Sequence, residues 1–113
     1  MIKVISLLIL TSCMQLDPYD SFDKEVIRES LIRSSKLPRS EKYDSGYVIQ
    51  PYDEFKDRDG VDFSELRNLF EHGNTSDGSV VIVLTKNKKV VGFVRILRGK
   101  ETDTLKNPLQ SIE

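Results

Sequence analysis

Two apolar runs sit four residues apart near the C-terminal end of the chain. Val80-Val81-Ile82-Val83-Leu84-Thr85 and Val90-Val91-Gly92-Phe93-Val94-Arg95-Ile96-Leu97 flank Lys86-Asn87-Lys88-Lys89. Branched and aromatic residues on either side of a short polar turn predict a β-hairpin. The first run is apolar at every position before Thr85, and only Arg95 interrupts the second. Strands of that kind are buried on both faces, so the hairpin requires a covering layer above and below and neighbouring strands beside it.

Tyr47-Val48-Ile49-Gln50-Pro51-Tyr52 supplies one such strand, ended or held at an edge by Pro51. Two helices supply the layers. Phe22, Val26, Ile27 and Leu31 recur about four residues apart over 22–36, with Asp20 or Ser21 as the cap and Pro38 as the stop. Phe63, Leu66, Leu69 and Phe70 make the apolar face of a second helix, 62–72, opened by the Asp62/Glu65 pair and closed by Gly73. The expected fold is α+β, a small mixed or antiparallel sheet of three to four strands with a central hairpin (80–97) packed by helices at about 22–36 and 62–72. Val81, Val83, Phe93, Ile96, Leu66 and Phe70 are the expected core. The single domain spans 21–98, and 99–113 reads as a polar C-terminal tail that frays.

The N-terminus carries a different message. Met1-Ile2-Lys3 precedes a short apolar run, Val4 to Leu10, and Thr11, Ser12 and Cys13 follow. One positive charge, a brief apolar stretch and small residues make a minimal secretory signal. The run falls well short of the roughly 20 residues that a membrane-spanning helix needs. Leu10-Thr11-Ser12-Cys13 resembles the lipobox of bacterial lipoproteins, in which an apolar residue and two small ones precede a cysteine. The resemblance implies removal of 1–12, a lipid on Cys13, a tether over 13–20 and a place in the bacterial cell envelope. Met14 after the cysteine implies the outer membrane in a Gram-negative host. The other reading of the same residues is a buried strand, Ile2 to Leu10, in a cytoplasmic protein.

Composition excludes several chemistries. The 113 residues hold 17 basic and 18 acidic side chains, one Cys, one His, no Trp and no Ala. A balanced charge argues against sequence-independent nucleic-acid binding, and a lone cysteine excludes an internal disulfide or a multi-cysteine zinc site. Asp57-Arg58-Asp59-Gly60-Val61-Asp62 has the outline of a calcium loop. If Gly60 takes the sixth position of such a loop, Phe55 and Leu66 stand where the first and last carboxylates belong, so a solvated charged turn is expected instead. His72 at a helix end suits the dipole, with no nucleophile selected beside it. Lys86, Lys88 and Lys89 form a basic hairpin tip, which is the candidate interaction surface.

Residues 47–98 also resemble, loosely, the N-terminal half of the GNAT-superfamily acyltransferases, through the order strand, helix, hairpin and the Val90-Val91-Gly92-Phe93 strand. The resemblance implies a mixed α/β sheet. The family's acyl-CoA loop would follow a further strand, where this chain has Arg98-Gly99-Lys100-Glu101-Thr102-Asp103. No catalytic residue, metal or cofactor is therefore expected. The expected function is a non-enzymatic envelope lipoprotein that binds another protein as an adaptor, inhibitor or immunity-type module. The alternative is a cytosolic interaction or regulatory protein related to a truncated acyltransferase fold.

Overall fold

The computed structural model describes residues 21–51, 53–70 and 78–112. The expected signal and tether, the Gly73 cap and His72 lie outside the described residues. Among the described residues four antiparallel strands form one sheet, in the order β3-β2-β1-β4. They are β1 (Ser45–Ile49), β2 (Ser79–Lys86), β3 (Lys89–Leu97) and β4 (Leu109–Gln110). Three helices among the described residues accompany them: α1 (Lys24–Ser34), α2 (Ser64–Leu69) and the single turn α3 (Lys100–Asp103). The α+β architecture read from the sequence is the one observed, and every strand pairing is antiparallel.

Because both faces of β2 are apolar, two separate cores form. Val80, Ile82 and Leu84 point to one side, where Ile27 and Leu31 of α1 meet them with Leu37, Tyr43, Val48, Ile96 and Leu109. Val81 and Val83 point to the other side, against Tyr47, Phe55, Val61, Phe63, Leu66 and Phe70. That alternation is the two-residue period of a strand expressed in three dimensions.

Helix α1 starts two residues later than its apolar spacing suggests. Asp23 is the N-cap, its Oδ1 accepting the Glu25 and Val26 amides at 3.0 and 3.4 Å. Ser21 does not serve, and Asp20 lies outside the described residues. Ser35 closes the helix in the left-handed region at φ 58° and donates its N–H to the Leu31 carbonyl. Only Ile27 and Leu31 are buried, and Val26 stays 51 % exposed, because it lies a full residue off the four-residue stripe.

Three positions depart from expectation. Phe93 is half-buried rather than enclosed, packed at the margin of the second core against Phe70, with ring centroids 5.4 Å apart. The charged segment 53–62 is not a solvated turn alone, for it carries Phe55 and Val61 into the interior at 0 % and 2 % exposure. Residues 99–112 do not fray. They form α3, bury Thr102 and Leu105, and return as β4 beside β1, pairing Gln110 with Ser45 and Leu109 with Gly46. Leu37 fastens that return: its N–H donates to Gln110 and its carbonyl accepts from Ile112.

Beyond β4, the outer edge of β1 is closed by a side chain. The Asn107 carboxamide accepts the Val48 N–H at 2.7 Å and donates to the Val48 carbonyl at 3.0 Å. One amide thus reproduces a rung of the ladder where the two-residue strand has run out.

Removing buried surface should separate from removing exposed surface. Phe63→Ala is expected to cost about 3–5 kcal/mol and Val26→Ala under about 0.5 kcal/mol, read as urea midpoints. Asn107→Ala leaves both Val48 groups short of a partner and is expected to cost about 1–3 kcal/mol. A midpoint unchanged by Asn107→Ala would show that water replaces the rung.

Candidate functional site

The basic tip is more committed than its sequence suggests. Asn87 and Lys88 lie at φ 52° and 68°, the left-handed conformation at both positions of a two-residue type I′ turn. This geometry folds the lysines back over neighbouring loops. Lys86 Nζ donates to the Glu41 carbonyl, Lys88 Nζ to the Asp59 carbonyl at 2.8 Å, and the Asn87 amide to Asp44 Oδ2 at 3.0 Å. Two of the three candidate lysines therefore fasten main-chain carbonyls. The Lys89 ammonium has no hydrogen-bond or ion-pair partner among the described residues, and borders a shallow polar depression with Asp62, Ser64 and Glu65.

The acidic segment is likewise structural. Arg58 and Val61 exchange both main-chain hydrogen bonds across Asp59-Gly60, whose φ values of 53° and 82° again make a type I′ turn. Asp57, Asp59 and Asp62 accept from four different donors. Asp57 Oδ1 accepts the Phe63 amide at 2.8 Å and Arg67 Nη1 at 3.0 Å. Asp59 Oδ2 accepts the Tyr47 hydroxyl at 3.1 Å, and Asp62 Oδ1 accepts the Ser64 amide at 2.8 Å. Among the described residues no group of three or more His, Cys, Asp or Glu converges as a metal site would require.

A polar cleft of about 470 Å³ opens beside Asn107, lined by Val48, Gln50, Asp53, Arg98, Asp103 and Leu105. Its polar groups hold the fold together. Gln50 Nε2 donates to the Thr102 carbonyl at 2.9 Å, and Arg98 Nε reaches Asp103 Oδ1 at 3.1 Å. Residues 98–103, the place of the acyl-CoA loop in the resembling family, form α3 with Thr102 Oγ1 bonded to both the N–H and the carbonyl of Gly99.

The remaining feature is the outer edge of β3, which sequence reasoning did not single out. Val48 directs its main-chain groups to Asn107, away from β2, so its partner Ile82 directs its own toward β3. The Arg98 N–H bonded to the Gly78 carbonyl keeps the same phase. Val94 and Ile96 therefore face β2, while Arg95 and Leu97 turn their N–H and C=O groups outward. Among the described residues nothing pairs with those groups. Arg95 stands over the Phe70 ring, its guanidinium carbon 4.4 Å from the centroid, and no carboxylate among the described residues lies within ion-pair distance. Two residues on, Leu97 is 74 % exposed on the same side of the sheet. The signal available in the sequence was Arg95 itself, the single charge inside an apolar run.

Cys13, the expected lipidation site, lies outside the described residues. No helix among the described residues is long and apolar enough to cross a membrane. Comparison with protein-family models, with curated proteins and with solved structures yields no match.

The acid limb of stability tests the structural role of the 53–63 segment. The Phe63 amide and the Arg67 guanidinium hold the Asp57 carboxyl below the ordinary aspartate value of 3.8. A depressed folded-state value contributes stability that is present above the unfolded value and lost as pH falls through the folded one. Asp57→Asn is expected to lower the urea midpoint at pH 7, with the gap to wild type closing below about pH 4. A gap that persists at pH 2 would place the effect elsewhere.

Proposed function

We propose that this chain is a small, non-enzymatic protein-binding module held at the bacterial envelope by a lipid on Cys13. The observation that carries the binding reading is the sheet edge at Arg95 and Leu97, open among the described residues. An edge with unpaired main-chain donors and acceptors accepts an extended segment from another chain, main-chain bonds giving affinity and flanking side chains giving selectivity. Among the described residues, Asp57, Asp59 and Asp62 bind donors of the fold, and Arg98 pairs with Asp103. The anchor reading rests on Leu10-Thr11-Ser12-Cys13, whose cysteine is the only one in the chain. A single saturated chain gains about 0.8 kcal/mol per buried CH₂, and stable anchoring takes more than one chain, as lipoprotein acylation supplies.

Two measurements in the native host test the two halves. Intact mass should show a chain lacking 1–12 and carrying acyl groups, and Cys13→Ser should move the protein from the membrane to the soluble fraction. A soluble wild-type chain retaining Met1 overturns the anchor and leaves a cytosolic interaction protein. A photo-crosslinking residue at position 97 should capture a discrete protein, while the same residue at position 24 on α1 should not. Equal labelling from both positions would overturn recognition through the edge.

A further inference from the structure

Resting on that reading, the structure assigns a chemistry to the partner: we infer that the β3 edge receives an extended segment with an acidic residue flanked by apolar ones at alternate positions. Three observations converge. The outward main-chain groups of Arg95 and Leu97 supply two donors and two acceptors to an incoming strand. Successive side chains of that strand alternate between the faces of the sheet, so every second one faces the same side as Arg95 and Leu97. On that side the edge offers a cation and then an apolar side chain that is 74 % exposed.

Arg95 is prepared for the acidic partner. Its guanidinium rests on the Phe70 face at 4.4 Å, and Phe70 itself is buried and stacked on Phe55 with centroids 4.9 Å apart. Stacking on an aromatic face leaves the edges of the planar fork free for a carboxylate, while restricting the rotamers that binding would otherwise have to freeze. A carboxylate directly opposite on the added strand meets this fork at cross-strand distance. Leu97, one rung further, takes an apolar residue.

Charge also decides against a second copy as the occupant. A two-fold antiparallel pairing of β3 with itself brings two copies of Arg95 and two of Lys89 into one junction, with no carboxylate from the strand to offset them. Centring such a pair one rung further, on Arg95, sets the two guanidinium groups directly opposite each other. Like charges in that position oppose pairing.

The probe is a fluorescein-labelled peptide of sequence STVTETVTS, added to the lipid-free chain from Cys13 onward carrying Cys13→Ser. Binding is read by anisotropy at low and moderate salt, and its location by amide shifts of the protein. Shifts are expected at Arg95, Ile96 and Leu97. Arg95→Glu should weaken binding about five- to tenfold, and the peptide with lysine for glutamate should recover it on that variant. Leu97→Asp, at a position too exposed to endanger folding, should weaken it as well. A peptide N-methylated at the glutamate keeps the charge and loses the rung, and should fail to bind. Shifts confined to the 86–89 tip, or indifference to both Arg95→Glu and N-methylation, would overturn the assignment. So would a dimer in sedimentation whose interface maps to β3. Crosslinking from position 97 to a host protein that Arg95→Glu leaves unchanged would refute the acidic partner while leaving recognition through the edge in place.

Discussion

β2 has no face to give to water. From Val80 to Thr85 every side chain is at most 1 % exposed, so the strand exists only if something covers it on both sides. Fully burying one branched aliphatic side chain is favourable by about 1.5–3 kcal/mol, and β2 presents five in succession. Everything else in the domain is arranged around that demand. Helix α1 covers one side with two side chains, Ile27 and Leu31. Among the described residues the other side has one helix, the six-residue α2, which buries Leu66 alone. That is too little cover, and the 53–63 segment makes up the deficit with Phe55, Val61 and Phe63.

This division explains what could be read beforehand and what could not. The hairpin and the β1 strand were readable as continuous branched and aromatic runs, and α1 by an apolar period of about four. Phe55 and Val61 were hidden because they stand singly among Asp53, Glu54, Lys56, Asp57, Arg58 and Asp59, and no period links them. Their burial depends on a turn at Asp59-Gly60, and Asp-Gly is a strong hairpin signal that the calcium-loop outline obscured. β4 was invisible for a related reason. Two residues, Leu109 and Gln110, have no period, and the rung that extends them comes from an asparagine side chain.

At the basic tip, local chemistry does not show what the lysines hold. Three lysines in four residues read as a surface for an anionic partner. The turn that carries them reverses direction so tightly that two reach carbonyl oxygens of the 41 and 59 loops. Charge counting treats a lysine as free, whereas the fold engages the ammonium groups of Lys86 and Lys88. The converse holds for Arg95, which sits inside an apolar run and reads as an interruption. Only the phase of the ladder shows its main-chain groups turned outward. That phase is set at the far side of the sheet, where Asn107 grips Val48.

The two ends of the sheet are consequently unlike, and the difference is physical rather than incidental. The β1 edge is sealed by β4, by the Asn107 rung and by the Leu37 bonds to Gln110 and Ile112. The β3 edge is longer, ends in an exposed leucine, and has defences against indiscriminate pairing. A register irregularity at Leu84/Thr85 breaks the ladder near the tip, and Lys89 and Arg95 place charge along the edge. Such features bar strands that are flat and uncharged, including this strand's own copies. They do not bar a strand whose charge is opposite and whose length fits between the irregularity and Leu97. An edge guarded by cations is thus also an edge that selects, because the guanidinium that repels a like strand is the group that an acidic one requires.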